Sequence, residues 1–245
     1  LSTCGNILHI ILIIILIRNK LFMGWSLVPD PMARRLMTCP GMHRMEKDQE
    51  MSILVGREAP GFISQAVLAN GEVVDDFDLS KFIAEKYAAV FFYPLDFTFV
   101  CPSEIIAFAN RTEVLAALGC EVVAISTDSH FTHTAWRNTP VEQGGVGSVP
   151  FPMVADMTRE ITSAYGVLTE PGNSYYPAGV AMRATFVIDQ QGIVRHQIVN
   201  DEPLGRSVDE VIRIVDALQF FEERGQVCPA GWNKGDAGMA TTSWG

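Results

Sequence analysis

The sequence predicts an α/β fold in which a mixed central sheet is flanked by helices. Three observations carry this expectation. Asn70-Gly71 separates two apolar runs, a strong short-range signal for a hairpin. The run Ala88-Ala89-Val90-Phe91-Phe92, a stretch of helical periodicity and then the run Glu121–Ser126 form a β-α-β unit, which requires a right-handed crossover and a parallel strand pair. A second pair of strand-like runs closes around Gln191-Gly192.

Taken in order, Phe62–Leu68 and Glu72–Phe77 are the arms of the first hairpin, and a short helix over Leu79–Glu85 leads into the strand Ala88–Phe92. Ile105, Ile106, Phe108, Val114, Leu115 and Leu118 recur at helical spacing, so one helix is expected from Cys101 to a stop at Gly119. Pro102 suits its first turn, where an N–H has no intrahelical partner. Asp128–Asn138 is a further helix, ended by Pro140 ahead of Gly144-Gly145-Val146-Gly147. Another helix over Arg159–Tyr165 precedes the strands Arg183–Asp189 and Ile193–Val199. Ser207 with Glu210 is a capping box, and Val208, Val211, Ile212, Val215, Leu218 and Phe221 make one apolar stripe up to Gly225. Past Gly225 the periodicity is lost, so residues 226–245, with Cys228, are expected to form a mobile tail.

The domain is expected over residues 51–225. Residues 1–50 do not read as part of it: the apolar stretch Ile7–Ile17 spans eleven residues, short of the roughly 20 that a membrane helix needs. Arg18 and Lys20 follow that stretch, whereas a signal peptide places its basic residues first. The expectation is a dispensable, disordered leader or an over-extended reading frame. Residues 1–50 hold six Lys/Arg against four Asp/Glu, so the formal charge of −10 becomes −12 over the rest. That balance argues against nucleic acid and suits a small neutral substrate that needs no steering. Five cysteines without dense spacing exclude a disulfide scaffold, and no pair has metal-ligand spacing. Cys120 heads an apolar run and reads as a core residue.

Cys101 is different. At a helix start its sulfur meets unpaired backbone N–H groups and the positive end of the macrodipole, so the thiol is expected to ionise more readily than a free cysteine. Thr98 precedes it by three residues and is expected to bring its hydroxyl beside the sulfur, while Pro94, which cannot donate, walls off water. The alternative is a structural cysteine. Pro94, Thr98 and Cys101 match the P-x-x-x-T-x-x-C motif, and the stretch resembles the peroxidatic site of typical 2-Cys peroxiredoxins.

That resemblance implies a thioredoxin-like fold with the peroxiredoxin N-terminal hairpin extension, and a peroxidase that reduces hydrogen peroxide and alkyl hydroperoxides through a sulfenic acid on Cys101. It implies that Arg183 faces Cys101, with Glu104 orienting Arg183 and Arg206 supporting them. Cys228, within Val-Cys-Pro, resembles the resolving cysteine, which implies an obligate homodimer with two intersubunit disulfides and a decamer of five dimers. Thioredoxin or a dedicated disulfide reductase would restore the thiols in the cytoplasm, with no cofactor and no metal. A chaperone-like holdase is the competing function. A Cys–His hydrolase using His130 or His133 and a general disulfide oxidoreductase are weaker, since Thr98 stands where the latter carries a second cysteine. The glycine loop resembles that of easily overoxidised members. Their Tyr-Phe-bearing final helix is absent before Gly245, so resistance to peroxide inactivation is expected.

Overall fold

Strand β3 (Tyr87–Phe92) is buried at every position, and its side chains alternate between two apolar layers. Tyr87, Ala89 and Phe91 point into one layer, Ala88, Val90 and Phe92 into the other, which is why the strand reads as an unbroken apolar run. The computed structural model describes residues 53–172 and 175–241, all within the compact unit Asp48–Gly245. The expected leader, residues 1–50, lies outside the described residues.

The sheet has seven strands: β1 (Ile63–Val67), β2 (Val73–Asp78), β3, β4 (Cys120–Ser126), β5 (Met153–Ala155), β6 (Arg183–Ile188) and β7 (Val194–Asn200). Their spatial order is β2-β1-β5-β4-β3-β6-β7. β3 pairs in parallel with β4, and β4 with β5, while the remaining pairs are antiparallel, so the sheet is mixed as expected. The first layer is closed by α2 (Cys101–Ala109), α3 (Thr112–Ala117), Trp136 of α4 (His130–Asn138) and α6 (Val208–Arg224). The second is closed by α1 (Leu79–Phe82) and α5 (Glu160–Ala164). In the first hairpin Gly71 adopts φ +88°, the left-handed turn position that glycine fills without steric cost.

The structure departs from the sequence reading in several places. The single helix from Cys101 to Leu118 is two helices. The Phe108 carbonyl accepts from Arg111 N–H at 3.0 Å and from the Thr112 hydroxyl at 2.9 Å, so the chain tightens by one residue between the two helices. Strand β5 was not foreseen; its three residues are too few to show a period, yet they join the hairpin to β4. The capping box at α6 is half made: Ser207 Oγ accepts from Glu210 N–H at 3.3 Å, but the Glu210 carboxylate pairs with Arg213. Phe221, assigned to the apolar stripe of α6, is 48% exposed.

The segment expected as a mobile tail is, over residues 226–241, seated on α6. Trp232 is 2% exposed and lies against Phe220 at 4.9 Å, its carbonyl accepts from Arg213 at 2.9 Å, and Val227 and Met239 exchange backbone bonds. One aromatic anchor suffices where no periodicity exists.

The glycine loop after α4 is constrained by contact. A Cβ on Gly145 would lie 1.8 Å from the Thr139 carbonyl oxygen, and the neighbouring Gly144 carbonyl accepts from Trp136 Nε1 at 2.9 Å. Gly145→Ala is therefore expected to destabilise the fold by at least about 1–3 kcal/mol, read from the denaturant midpoint.

Candidate active site

Between β3 and α2 the chain turns through Tyr93–Val100. Tyr93 N–H is tied to the Ile125 carbonyl at 3.0 Å and Asp96 N–H to Asp128 Oδ2 at 2.9 Å. Phe97 takes φ +53°, an uncommon backbone state for an aromatic residue. Cys101, fully buried, is the first residue of α2, and Pro102 follows it in the first turn.

Register brings the arginine to the sulfur. Phe92 at the end of β3 pairs with Ala184 of antiparallel β6, so Arg183 begins β6 beside the turn that leads to Cys101. Arg183 is 1% exposed, and its Nη1 donates to Cys101 Sγ at 3.3 Å and to Glu104 Oε2 at 2.9 Å. Its Nε donates to the Glu202 carbonyl at 2.6 Å, and its backbone N–H to the Tyr176 hydroxyl at 2.9 Å. Glu104, one turn along α2 from Cys101, is 3% exposed. Arg206 donates to both its carboxylate oxygens, Nε to Oε1 at 2.8 Å and Nη2 to Oε2 at 2.9 Å. Arg206 Nη1 also reaches the Phe92 carbonyl at 2.8 Å, pinning the end of β3.

Burial alone would raise the Glu104 carboxyl, but the hydrogen bonds and charge of Arg206, with the charge of Arg183, hold it below the usual carboxylate range. For Arg183 burial works against the charge, and its contacts with Cys101 and Glu104 outweigh that. Two buried guanidinium groups thus face one buried carboxylate. Glu202 Oε1, on a side chain 37% exposed, adds only a distant 3.4 Å contact to Arg183.

The structure brings Cys101, Arg183, Glu104 and Arg206 together. Pro94 is buried at the exit of β3. The Thr98 hydroxyl donates to the Leu95 carbonyl at 2.9 Å, three residues back in the same tight turn. The Thr98 oxygen keeps its lone pairs for accepting. Cys228, half-buried in the seated tail, places its Sγ 3.5 Å from the Ala217 carbonyl, and both it and Cys101 are free thiols. Burial pushes the Cys120 thiol up to about 12, in keeping with a core residue. The Cys–His alternative finds no pair, for His133 is bound to Asp96 at 2.7 Å and His130 to Gln65 at 2.9 Å. Among the described residues no cluster of three or more His, Cys, Asp or Glu side chains could hold a metal ion, and no helix is long and apolar enough to cross a membrane. Tyr176 and Glu202 were not foreseen, since each meets Arg183 only through the fold.

The model of the AhpC/TSA family matches residues 55–197. The chain belongs to that family. Within it, the model of the C-terminal domain of 1-Cys peroxiredoxin matches residues 217–243, which include Cys228. This AhpC/TSA member is 51% identical to alkyl hydroperoxide reductase C of Helicobacter pylori over 193 residues, 79% of this chain and 94% of that protein. It is 48% identical to peroxiredoxin-1 of Gallus gallus over 181 residues, covering 74% of this chain and 87% of the other. The reduced 2-Cys peroxiredoxin of Plasmodium vivax superposes with a TM-score of 0.71 at 42% identity, over 76% of this chain and 93% of that one. The thioredoxin-like peroxiredoxin fold expected from the motif is therefore the fold of this chain.

Because Glu104 is held below its ordinary value, its contribution to stability is complete above about pH 4.5 and is lost as pH falls through the lower folded value. Glu104→Gln, which removes the buried carboxylate shared by Arg183 and Arg206, is expected to cost about 3–5 kcal/mol at pH 7. The gap between the two proteins' denaturation midpoints should narrow progressively below about pH 4.5.

Proposed function

We propose that the chain is a thiol-specific peroxidase that reduces hydrogen peroxide and alkyl hydroperoxides, with Cys101 as the peroxidatic cysteine. The observation that carries this reading is Arg183 Nη1 at 3.3 Å from Cys101 Sγ while Glu104 fixes the same nitrogen at 2.9 Å. A fixed positive charge there favours the thiolate and stays in place for the charge that develops on the departing oxygen. The hydroperoxide O–H donates to the Thr98 oxygen, whose own proton is committed to Leu95. The sulfur attacks the terminal peroxide oxygen, the O–O bond breaks, Cys101 becomes a sulfenic acid, and the other fragment leaves as alcohol or water after taking up a proton. Buried Pro94 donates nothing and keeps water from competing. Glu104 and Arg206 are positioning residues that hold Arg183.

The sulfenic acid is then resolved. The Cys228 thiolate of a second copy attacks the Cys101 sulfur, water leaves and an intersubunit disulfide forms, which thioredoxin or a dedicated disulfide reductase reduces with two electrons. The working unit is a homodimer, assembled as a pentamer of dimers, in the reducing cytoplasm. The family membership and the relatives named alkyl hydroperoxide reductase C and peroxiredoxin-1 support this reading. No observation favours the holdase.

Cys101→Ser should abolish peroxide consumption, whereas Cys228→Ser should consume one peroxide per site and then stop. After stoichiometric peroxide, non-reducing electrophoresis should show a reducible dimer for the unsubstituted chain and monomer for both variants. Turnover by Cys101→Ser, or an unchanged dimer in Cys228→Ser, would contradict the assignment.

A further inference from the structure

The arginine that faces Cys101 is held at its side chain by Glu104 and Glu202, yet the point from which that side chain starts is fixed by a residue the chemistry above does not use. Tyr176, in the connection between α5 and β6, is 7% exposed, whereas its neighbour Tyr175 is 78% exposed. The Tyr176 hydroxyl accepts from the Arg183 N–H at 2.9 Å and donates to the Asn200 carbonyl at 2.7 Å. A phenol has one proton to give, and burial raises this one above its ordinary value, so it stays on the oxygen for Asn200 at neutral pH.

Arg183 and Asn200 stand opposite one another at the end of the β6–β7 pairing, so the hydroxyl bridges the two strands at their last rung. Asn200 also begins the segment that returns to the site. Two residues on, the Glu202 carbonyl accepts from Arg183 Nε at 2.6 Å. Asn200 Nδ2 donates to the Leu204 and Gly205 carbonyls at 3.1 and 3.3 Å, just ahead of Arg206. One hydroxyl therefore fixes both the backbone from which the guanidinium extends and the start of the segment whose carbonyl orients it. A displacement at either point is passed to Nη1, 3.3 Å from Cys101 Sγ.

The tyrosine is itself held in place. Thr169 N–H donates to the Val180 carbonyl at 2.9 Å, and Thr169 Oγ1 accepts from Val180 N–H at 3.0 Å, tying the two ends of the connection together. The Thr169 hydroxyl donates at 2.7 Å to the carbonyl of Pro177, the residue after Tyr176. Arg159 Nε adds a bond to the Gly179 carbonyl at 2.7 Å.

We propose that Tyr176 is a positioning residue for peroxide reduction: its hydroxyl, bridging the Arg183 N–H and the Asn200 carbonyl, sets the place of the Arg183 guanidinium against Cys101 and the peroxide oxygen. The inference rests on Cys101 being the peroxidatic cysteine. The effect passes through the Arg183 side chain, which separates it from a contact that only stabilises the fold.

The test follows the first oxidation by hydrogen peroxide in stopped flow at about pH 7, with peroxide raised for the slower proteins. It compares the full chain, Tyr176→Phe, Arg183→Gln, the double variant of both, and Cys101→Ser. Tyr176→Phe keeps the ring and removes the bridge, and it should lose about 5- to 10-fold in the oxidation rate constant, as loss of one hydrogen bond to a positioned group does. In the Arg183→Gln background no guanidinium remains to be placed, so the same substitution should change the rate by less than about twofold. A rate in Tyr176→Phe within about twofold of the unsubstituted chain would overturn the proposal, and so would a loss of the same factor in both backgrounds. Should Arg183→Gln fail to fold by near-UV circular dichroism, Arg183→Met, which buries no new polar group, takes its place in the cycle. Oxidation that survives in Cys101→Ser would instead sink the parent reading, whatever the tyrosine does.

Discussion

The rest of the site depends on two buried guanidinium groups that share one buried carboxylate. Arg183 and Arg206 are nearly inaccessible, and both pair with Glu104, which is buried almost as deeply. Burying unlike charges stabilises little by itself, because desolvation costs about as much as attraction returns. What the arrangement supplies is a guanidinium fixed against the sulfur. Catalysis in the proposed reaction then requires no base, since the stabilising charge is in place before the reactant arrives.

The fold makes this placement reproducible. The central strand and its antiparallel neighbour are locked in register by side chains filling two apolar layers, so a slip of one residue would exchange core and surface along the whole strand. The first residue of β6 therefore arrives at one height, opposite the start of α2. Arg206 adds a second tie by binding the last carbonyl of β3 and the carboxylate on α2 together.

Much of this was legible in the sequence. Pro94, Thr98 and Cys101 mark the site because the motif is local, and the apolar runs reveal both hairpins and the parallel pair because their periods are long enough to read. What escaped detection depends on contacts distant in the chain or on hydrogen bonds within a turn. Residues 110–112 look helical by spacing, yet the Arg111 N–H bonds three residues back instead of four and the helix is interrupted there. Strand β5 is three residues long and is defined by its partners. The grip of His133 on Asp96 and of Tyr176 on the Arg183 backbone joins residues whose adjacency no one-dimensional pattern announces.

The seated tail carries one more consequence. Trp232 packs against Phe220, Lys234 pairs with Asp216, and Cys228 rests against Ala217, so the thiol assigned to the second half of the reaction starts docked on its own helix. In the reaction proposed above, that small aromatic latch would have to let go before Cys228 could meet a sulfenic acid on a second copy. In the proposed cycle the latch would set a delay: the tighter the indole is held, the longer a sulfenic acid on Cys101 would wait for its resolving thiol.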